Sequence, residues 1–192
     1  MNCIAFGKGE RPLVMIQGLG TRGLKGTALP MAYMYRLFAR DFRVYMFDRR
    51  ENAEKGVTVR DFAADIAGAM DLIGIKNADV LGVSQGGMLA QYLAIDRPDL
   101  VRKMVLALTL SRNNTVVEEV IRNWIEMTQR GDMKTLVADM ADRMYTGAYV
   151  RRYKALMPLL TILQKPKDPA RFITLAEACL TCNTYEELVH IA

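Results

Sequence analysis

Histidine is nearly missing from this chain of 192 residues, and the single one, His190, leaves one imidazole for any acid–base role. Cysteine is scarce too. Three residues, at 3, 179 and 182, cannot all pair with one another, which argues against a disulfide scaffold and suits a reducing compartment. No apolar run approaches the ~20 residues that a membrane-spanning helix needs. The first ten residues lack the charged start and apolar core of a secretory leader, so a cytoplasmic protein with no membrane partner is expected. No long basic tail is present, and 26 Lys+Arg against 21 Asp+Glu leave a net charge of only +5. Such an excess biases encounters without marking a nucleic-acid reader, so no nucleic-acid partner is expected. Internal repeats and low-complexity segments are absent as well. What remains is core-forming material, 51% hydrophobic and 24% charged, enough for one compact domain with a subdomain.

Apolar runs rich in β-branched or aromatic residues at 3–6, 13–16, 44–47, 80–83 and 104–110 read as five strands. Helical patterns lie between them at 30–40, with Pro30 in the first turn, at 58–73, with Phe62, Ile66, Ala69, Met70 and Ile73 on one stripe, and at 88–95. Alternating strands and helices, with later strands apolar on both faces, predict an α/β fold: a mostly parallel, doubly wound sheet between two helical layers. After Ser111 the rhythm changes. Residues 116–130, 133–144, 150–163 and 169–180 have helical patterns and offer no convincing strand, so 114–188 is expected to be a helical cap on a core formed by 1–113. Its clearest internal break is 164–169, with Pro166 and Pro169. Residues 189–192 read as the start of a further core strand.

The most informative stretch is 78–94, where an apolar strand runs into Gly82-Val83-Ser84-Gln85-Gly86 and a helix leaves through Gly87. This is G-x-S-x-G between a strand and a helix. A nucleophile on so sharp a turn is held in strained backbone geometry, and the small residues Gly82, Gly86 and Gly87 let strand and helix approach closely. With two serines and 14 glycines in the chain, chance would produce the pattern only about 0.01 times. A second segment, 11–20, is a strand ending in the glycine turn Gln17-Gly18-Leu19-Gly20. Acyl transfer builds negative charge on a carbonyl oxygen, and backbone amides aimed at it form an oxyanion hole. The candidate donors are the N–H groups of Leu19 and Gln85.

These segments, together with Val-Tyr-Met-Phe-Asp-Arg-Arg at 44–50 and Arg97-Pro98-Asp99-Leu100-Val101, give the chain a resemblance to the α/β-hydrolase superfamily, near its bacterial esterase, lactonase and cofactor-free haloperoxidase-like branch. The resemblance covers residues 2 to about 112. It implies Ser84 as nucleophile, a small-molecule acyl substrate, no cofactor and no metal, and a helical cap over the site. Two departures stand out. Gln17-Gly18 replaces the common His-Gly, and the usual glycine-rich run after Asp48-Arg49 is here Arg50 to Gly56. In this superfamily the triad acid and histidine follow the serine on loops after the last strands; the expectation is that the sequence stops before them. His190 follows a helical pattern at 185–189 and is expected at the opposite end of the sheet from Ser84, and Asp48 is expected to serve a turn.

Three further signals have structural readings beside functional ones. Gly18–Gly23 matches G-x-G-x-x-G after a strand, but Lys25-Gly26-Thr27 separates it from the next helix, against a dinucleotide site. Cys179-Leu180-Thr181-Cys182 has C-x-x-C spacing without a second pair and reads as helix packing. Residues 143–171 carry Arg143, Arg151, Arg152, Lys154, Lys165, Lys167 and Arg171 against Asp168 alone, a solvated face or a surface for an anion. The expected function is hydrolysis of a small ester, lactone or thioester through an acyl-enzyme on Ser84. The alternatives are a non-catalytic ligand binder and a self-assembling chain, because residues 103–110 would form a bare apolar sheet edge, open to homodimer formation.

Overall fold

The computed structural model describes residues 1–153 and 165–191. Five strands, β1 (Cys3–Phe6), β2 (Arg11–Ile16), β3 (Phe42–Phe47), β4 (Ala78–Val83) and β5 (Val101–Ala107), form one sheet in the order β1-β3-β2-β4-β5. Only β1 runs antiparallel, against β3; the other pairs are parallel. Helices α1 (Ala28–Met34), α2 (Val59–Leu72) and α3 (Gln85–Asp96) connect the strands, and α4 (Thr115–Gln129), α5 (Met133–Met144), α6 (Gly147–Tyr153) and α7 (Pro169–Cys179) follow β5.

The two-residue period of a strand separates the core into layers. In β2, Val14 and Ile16 join the cluster formed with Phe62, Ile66 and Met70 of α2 and Leu89 and Leu93 of α3. Leu13 and Met15 face the other way, into a smaller cluster with Val44, Met46, Leu24 and, from α1, Met31. The sheet is therefore sandwiched between α2 and α3 on one face and α1 on the other, the αβα arrangement the sequence predicts. Helix α2 starts at a capping box in which the Thr58 hydroxyl accepts from the Asp61 N–H while the Asp61 carboxylate accepts from the Thr58 N–H. Its buried stripe runs through Val59, Phe62, Ala63, Ile66, Ala67 and Met70, whereas Ile73, expected on it, is exposed at the C-cap.

Three expected elements differ. The single helix expected at 30–40 is two pieces, α1 and a 3-10 turn at Phe38–Arg40. No α1 residue is fully buried and of its side chains only Met31 packs against the cluster beneath it, so little packing supports a longer helix. The last strand begins at Val101 and ends at Ala107, not at 104–110. As an edge strand it tolerates Arg102, paired with Asp79 at 2.6 Å, and Lys103; it stops where Leu108 takes a left-handed φ of 53°. The strand expected from 189 gives way to a 3-10 turn, Tyr185–His190, with extended backbone only at Ile191.

The helices after β5 begin at side-chain caps: Asn114 for α4, Asp132 for α5, and Asp168, followed by Pro169, for α7. The helix expected at 150–163 is seen as α6, and its part from 154 onward lies outside the described residues. This helical excursion leaves and returns at one place. Arg112 and Asn183 form an antiparallel bridge, and the Ser111 carbonyl accepts the Thr184 N–H at 2.6 Å. Among the described residues no helix is long and apolar enough to cross a membrane.

Candidate active site

Ser84 follows the last residue of β4 and stands immediately before α3, with φ 53° and ψ −123°. A left-handed φ costs an ordinary residue free energy and persists only where the surroundings fix it. Here they do so through the main chain. The Ser84 N–H donates to the Ala107 carbonyl at 2.9 Å, and its carbonyl accepts from the Gly87 N–H at 2.8 Å and the Thr109 hydroxyl at 2.7 Å. The side chain is exposed while all of 85–94 behind it is buried. Two glycines make the turn sterically feasible. A Cβ on Gly82 would lie 2.6 Å from the Gly86 carbonyl oxygen, and one on Gly86 would collide with the Ile16 backbone.

That second contact brings the end of β2 against the turn. A Cβ on Gly18 would lie 3.1 Å from the Ser84 Cβ, so the Gln17-Gly18-Leu19 loop abuts the serine. Gln85 opens α3, which leaves its N–H without an intrahelical acceptor. Ser84, Gly18 and Leu19 all line one cleft of about 820 Å³. The remaining wall is mainly apolar: Met88, Leu108 and Leu110 from the sheet side, and Val117, Ile121, Trp124 and Met140 from the helices after β5. Arg143 is the one charged side chain lining it among the described residues, and its Nε donates to Asp139 at 2.7 Å. Asp139 also accepts the Trp124 indole N–H at 2.7 Å.

Behind the loop lies a polar cluster of Arg49, Asp48, Gln85 and Arg171, whose contacts with one another were not expected. Arg49 is buried, and its Nη2 donates to the carbonyls of Gln17 and Gly18 and, at 3.0 Å, to Gln85 Oε1. Burial draws its pKa down to about 10, the neighbouring Asp48 carboxylate opposing the shift, so it stays cationic at neutral pH. Asp48 accepts from the N–H groups of Leu24 and Arg49 and from Arg171 Nη2, each within 2.9 Å. The expected turn role of Asp48 is thus a threefold backbone and side-chain anchor. Gln85 Nε2 donates to the Leu175 carbonyl at 2.6 Å and to Cys179 Sγ at 3.1 Å, which ties α7 to the turn. No local pattern in the sequence signals these contacts, because they join residues up to 123 positions apart.

The remaining sequence signals fall into place around this centre. Gly23 sits against the Asp48 carboxylate and α1 starts only at Ala28, so no helix N-terminus opens onto Gly18–Gly23. Cys179 and Cys182 are buried and unpaired, and burial pushes the Cys179 thiol up to about 12. Among the described residues no three His, Cys, Asp or Glu side chains cluster as a metal site would require. In the basic stretch, Arg143 and Arg171 are paired with Asp139 and Asp48, while Arg151, Arg152, Lys165 and Lys167 are exposed; Lys154 lies outside the described residues. His190 is exposed. It follows Glu187, which pairs with Arg60, itself paired with Asp96 at the end of α3 remote from Ser84.

A model of the α/β hydrolase fold family matches residues 11–144. The chain belongs to that family. It is 36% identical over 106 residues to the "Putative non-heme bromoperoxidase BpoC" of Mycobacterium tuberculosis H37Rv, a stretch covering 53% of this chain and 39% of that protein. The chain thus aligns with about two fifths of the length of that curated relative. Among solved structures, MGS-M2, an α/β hydrolase from a Medee basin deep-sea metagenome, superposes with a TM-score of 0.82 at 16% identity, over 99% of this chain and 72% of its own. The enol-lactonase of Burkholderia xenovorans LB400 gives 0.80 at 22% identity, over 100% and 74%. At those identities the likeness is one of fold.

Proposed function

We propose that the chain carries the nucleophile and oxyanion donors of a serine hydrolase acting on a small carboxylic ester, lactone or thioester with an apolar acyl group. The observation that carries this reading is Ser84, exposed on a strained strand-to-helix turn and opening into an apolar cleft beside Gly18 and Leu19. Ser84 Oγ bonds to the substrate carbonyl carbon as its proton passes to a base, and the Leu19 and Gln85 N–H groups hold the oxygen that becomes negative. The bond to the alcohol or thiol breaks, that group leaving with a proton, and water then hydrolyses the acyl-enzyme. No histidine or carboxylate lines the cleft among the described residues. The base and its acid partner are assigned to none of the residues that line the cleft. Residues 114–188 act as the cap that shapes the acyl pocket, through Val117, Ile121, Trp124 and Met140. The unpaired thiols, with Cys3 exposed, support a reducing, cytoplasmic setting.

The test is Ser84→Ala in the natural full-length protein, assayed with p-nitrophenyl butyrate. Acyl-enzyme formation and turnover are expected to vanish. Unchanged turnover would remove the assignment, and saturable ligand binding without turnover in the unsubstituted protein would favour a non-catalytic binder. A second reading, self-association, is favoured by β5, which among the described residues pairs only with β4 and exposes 59% of Val105 and 40% of Leu106. It is checked by light scattering, in which a monomer at all concentrations speaks against it.

A further inference from the structure

We propose that Arg49 is the positioning residue of the oxyanion pocket, its one Nη2 group fixing the Gly18–Leu19 peptide and the Gln85 side chain together. The inference rests on the serine-hydrolase reading above and adds a residue that has no contact with substrate in it. Its basis is peptide geometry. The Gly18 carbonyl and the Leu19 N–H belong to one planar, trans peptide unit, so they point in opposite directions. Arg49 Nη2 donates to that carbonyl at 3.2 Å and also to the carbonyl of Gln17, one peptide earlier. Holding both carbonyls towards the buried guanidinium turns the Leu19 N–H the other way. A rotation of the Gly18–Leu19 peptide would strip Arg49 of an acceptor and bring a carbonyl oxygen where the donor belongs.

The same nitrogen reaches the second donor's residue. Gln85 Oε1 accepts from Arg49 Nη2 at 3.0 Å, and Gln85 Nε2 continues to the Leu175 carbonyl. Gln85 is wholly buried and follows Ser84 directly, so its side chain works as a peg that seats the first turn of α3 against the β2 loop. A guanidinium fits this task better than an ammonium because its plane fixes the direction of the two Nη2 hydrogens that the three acceptors share, whereas an ammonium rotates on a flexible stem. Arg49 is itself held by its neighbours: Asp48 accepts its N–H, and Arg171 donates to its carbonyl at 3.2 Å. Two oxyanion donors on separate segments, β2 and α3, are thereby set by one side chain from the end of a third, β3.

The test compares the natural protein with Arg49→Lys, which keeps the charge and loses the directed Nη2 donors. Labelling of Ser84 by an alkyl fluorophosphonate and turnover of p-nitrophenyl butyrate are measured on protein whose folded fraction is known from thermal melting. Loss of one oxyanion donor lowers kcat on the order of 10²-fold. We therefore expect labelling and kcat to fall by roughly that factor, with KM changed by less than about threefold because the apolar cleft is untouched. A merely structural arginine would lower the melting temperature and leave kcat per folded molecule alone. Labelling and kcat equal to those of the unsubstituted protein overturn the role of Arg49 while leaving Ser84 as nucleophile. If Ser84 of the unsubstituted protein takes no label, the hydrolase reading falls, and this inference with it. If the variant does not fold, a crystal structure of the unsubstituted phosphonylated protein decides. A phosphoryl oxygen about 3 Å from the Leu19 nitrogen with Gly18 still on Arg49 upholds the inference, and a turned peptide overturns it.

Discussion

The Thr109 hydroxyl donates to the Ser84 carbonyl at 2.7 Å, tying the chain that leaves β5 to the turn that leaves β4. The same threonine stands where a Cβ on Gly87 would collide with it, so the two exits from the sheet are in direct contact. Replacing Thr109 by valine keeps the volume and removes the donor. Stability should drop by about 1 kcal/mol, measured by urea unfolding, and turnover should drop further than the fraction unfolded explains.

Gly86→Ala tests the contact between the turn and β2. The added methyl meets the Ile16 backbone, which cannot step aside as a flexible side chain would. Overpacking of this kind costs about 1–3 kcal/mol. Ester turnover should fall at least tenfold, because the displaced backbone continues into Gln17, Gly18 and Leu19; near-normal activity would show that β2 does not set the pocket.

Buried and exposed ion pairs should separate cleanly. Asp48 accepts two N–H groups and Arg171 in a buried setting, and its side chain is only 8% exposed. Asp48→Ala should cost roughly 3–5 kcal/mol, since the partners are left buried and unpaired. Arg60, with 46% of its side chain exposed, pairs with Asp96 and Glu187. Arg60→Ala should cost no more than about 1 kcal/mol. Thermal melts of the two variants check the contrast.

Leu108 combines a φ of 53° with 91% exposure. Asparagine tolerates this conformation better than leucine, and little packing is lost on replacement. Leu108→Asn should therefore raise stability by about 0.5–1 kcal/mol, visible as a higher melting temperature. A lower one would mean that the leucine side chain contributes contacts at the cleft rim.

The Cys179 thiol, raised by burial to about 12 from an ordinary value of 9.0, stays protonated in the folded protein where the unfolded chain ionises. Between pH 9 and 12 the folded state binds more protons, so stability falls as pH rises through this window and is independent of this group below it. Alkylation with iodoacetamide at pH 8 should modify the exposed Cys3 alone in the native protein and all three cysteines after denaturation.

Much of this arrangement was legible in the sequence because it is written locally. The glycines around Ser84 and the apolar runs at 13–16 and 80–83 each act on their immediate neighbours. Boundaries at the sheet edge were harder, since Arg102 and Lys103 belong to a strand that exposes them and look like a loop in sequence. Arg49 was visible as part of the segment at 44–50, with no role of its own. Its role depends on Gln17, Gly18 and Gln85 meeting in space, which no period or spacing encodes. The same holds for Cys179, whose contact with Gln85 depends on how α7 docks.

The bridge between Arg112 and Asn183 closes the helical excursion at its base. A segment whose two ends meet in this way can be exchanged without rethreading the sheet, since a donor segment need only match two neighbouring attachment points. The sheet, the turn at Ser84 and the Arg49 cluster then behave as a fixed chassis, and the helices between the attachment points as the interchangeable part that walls the cleft beside Ser84. Because Leu175 and Arg171 reach back from that part to Gln85 and Asp48, any graft must also restore those two contacts.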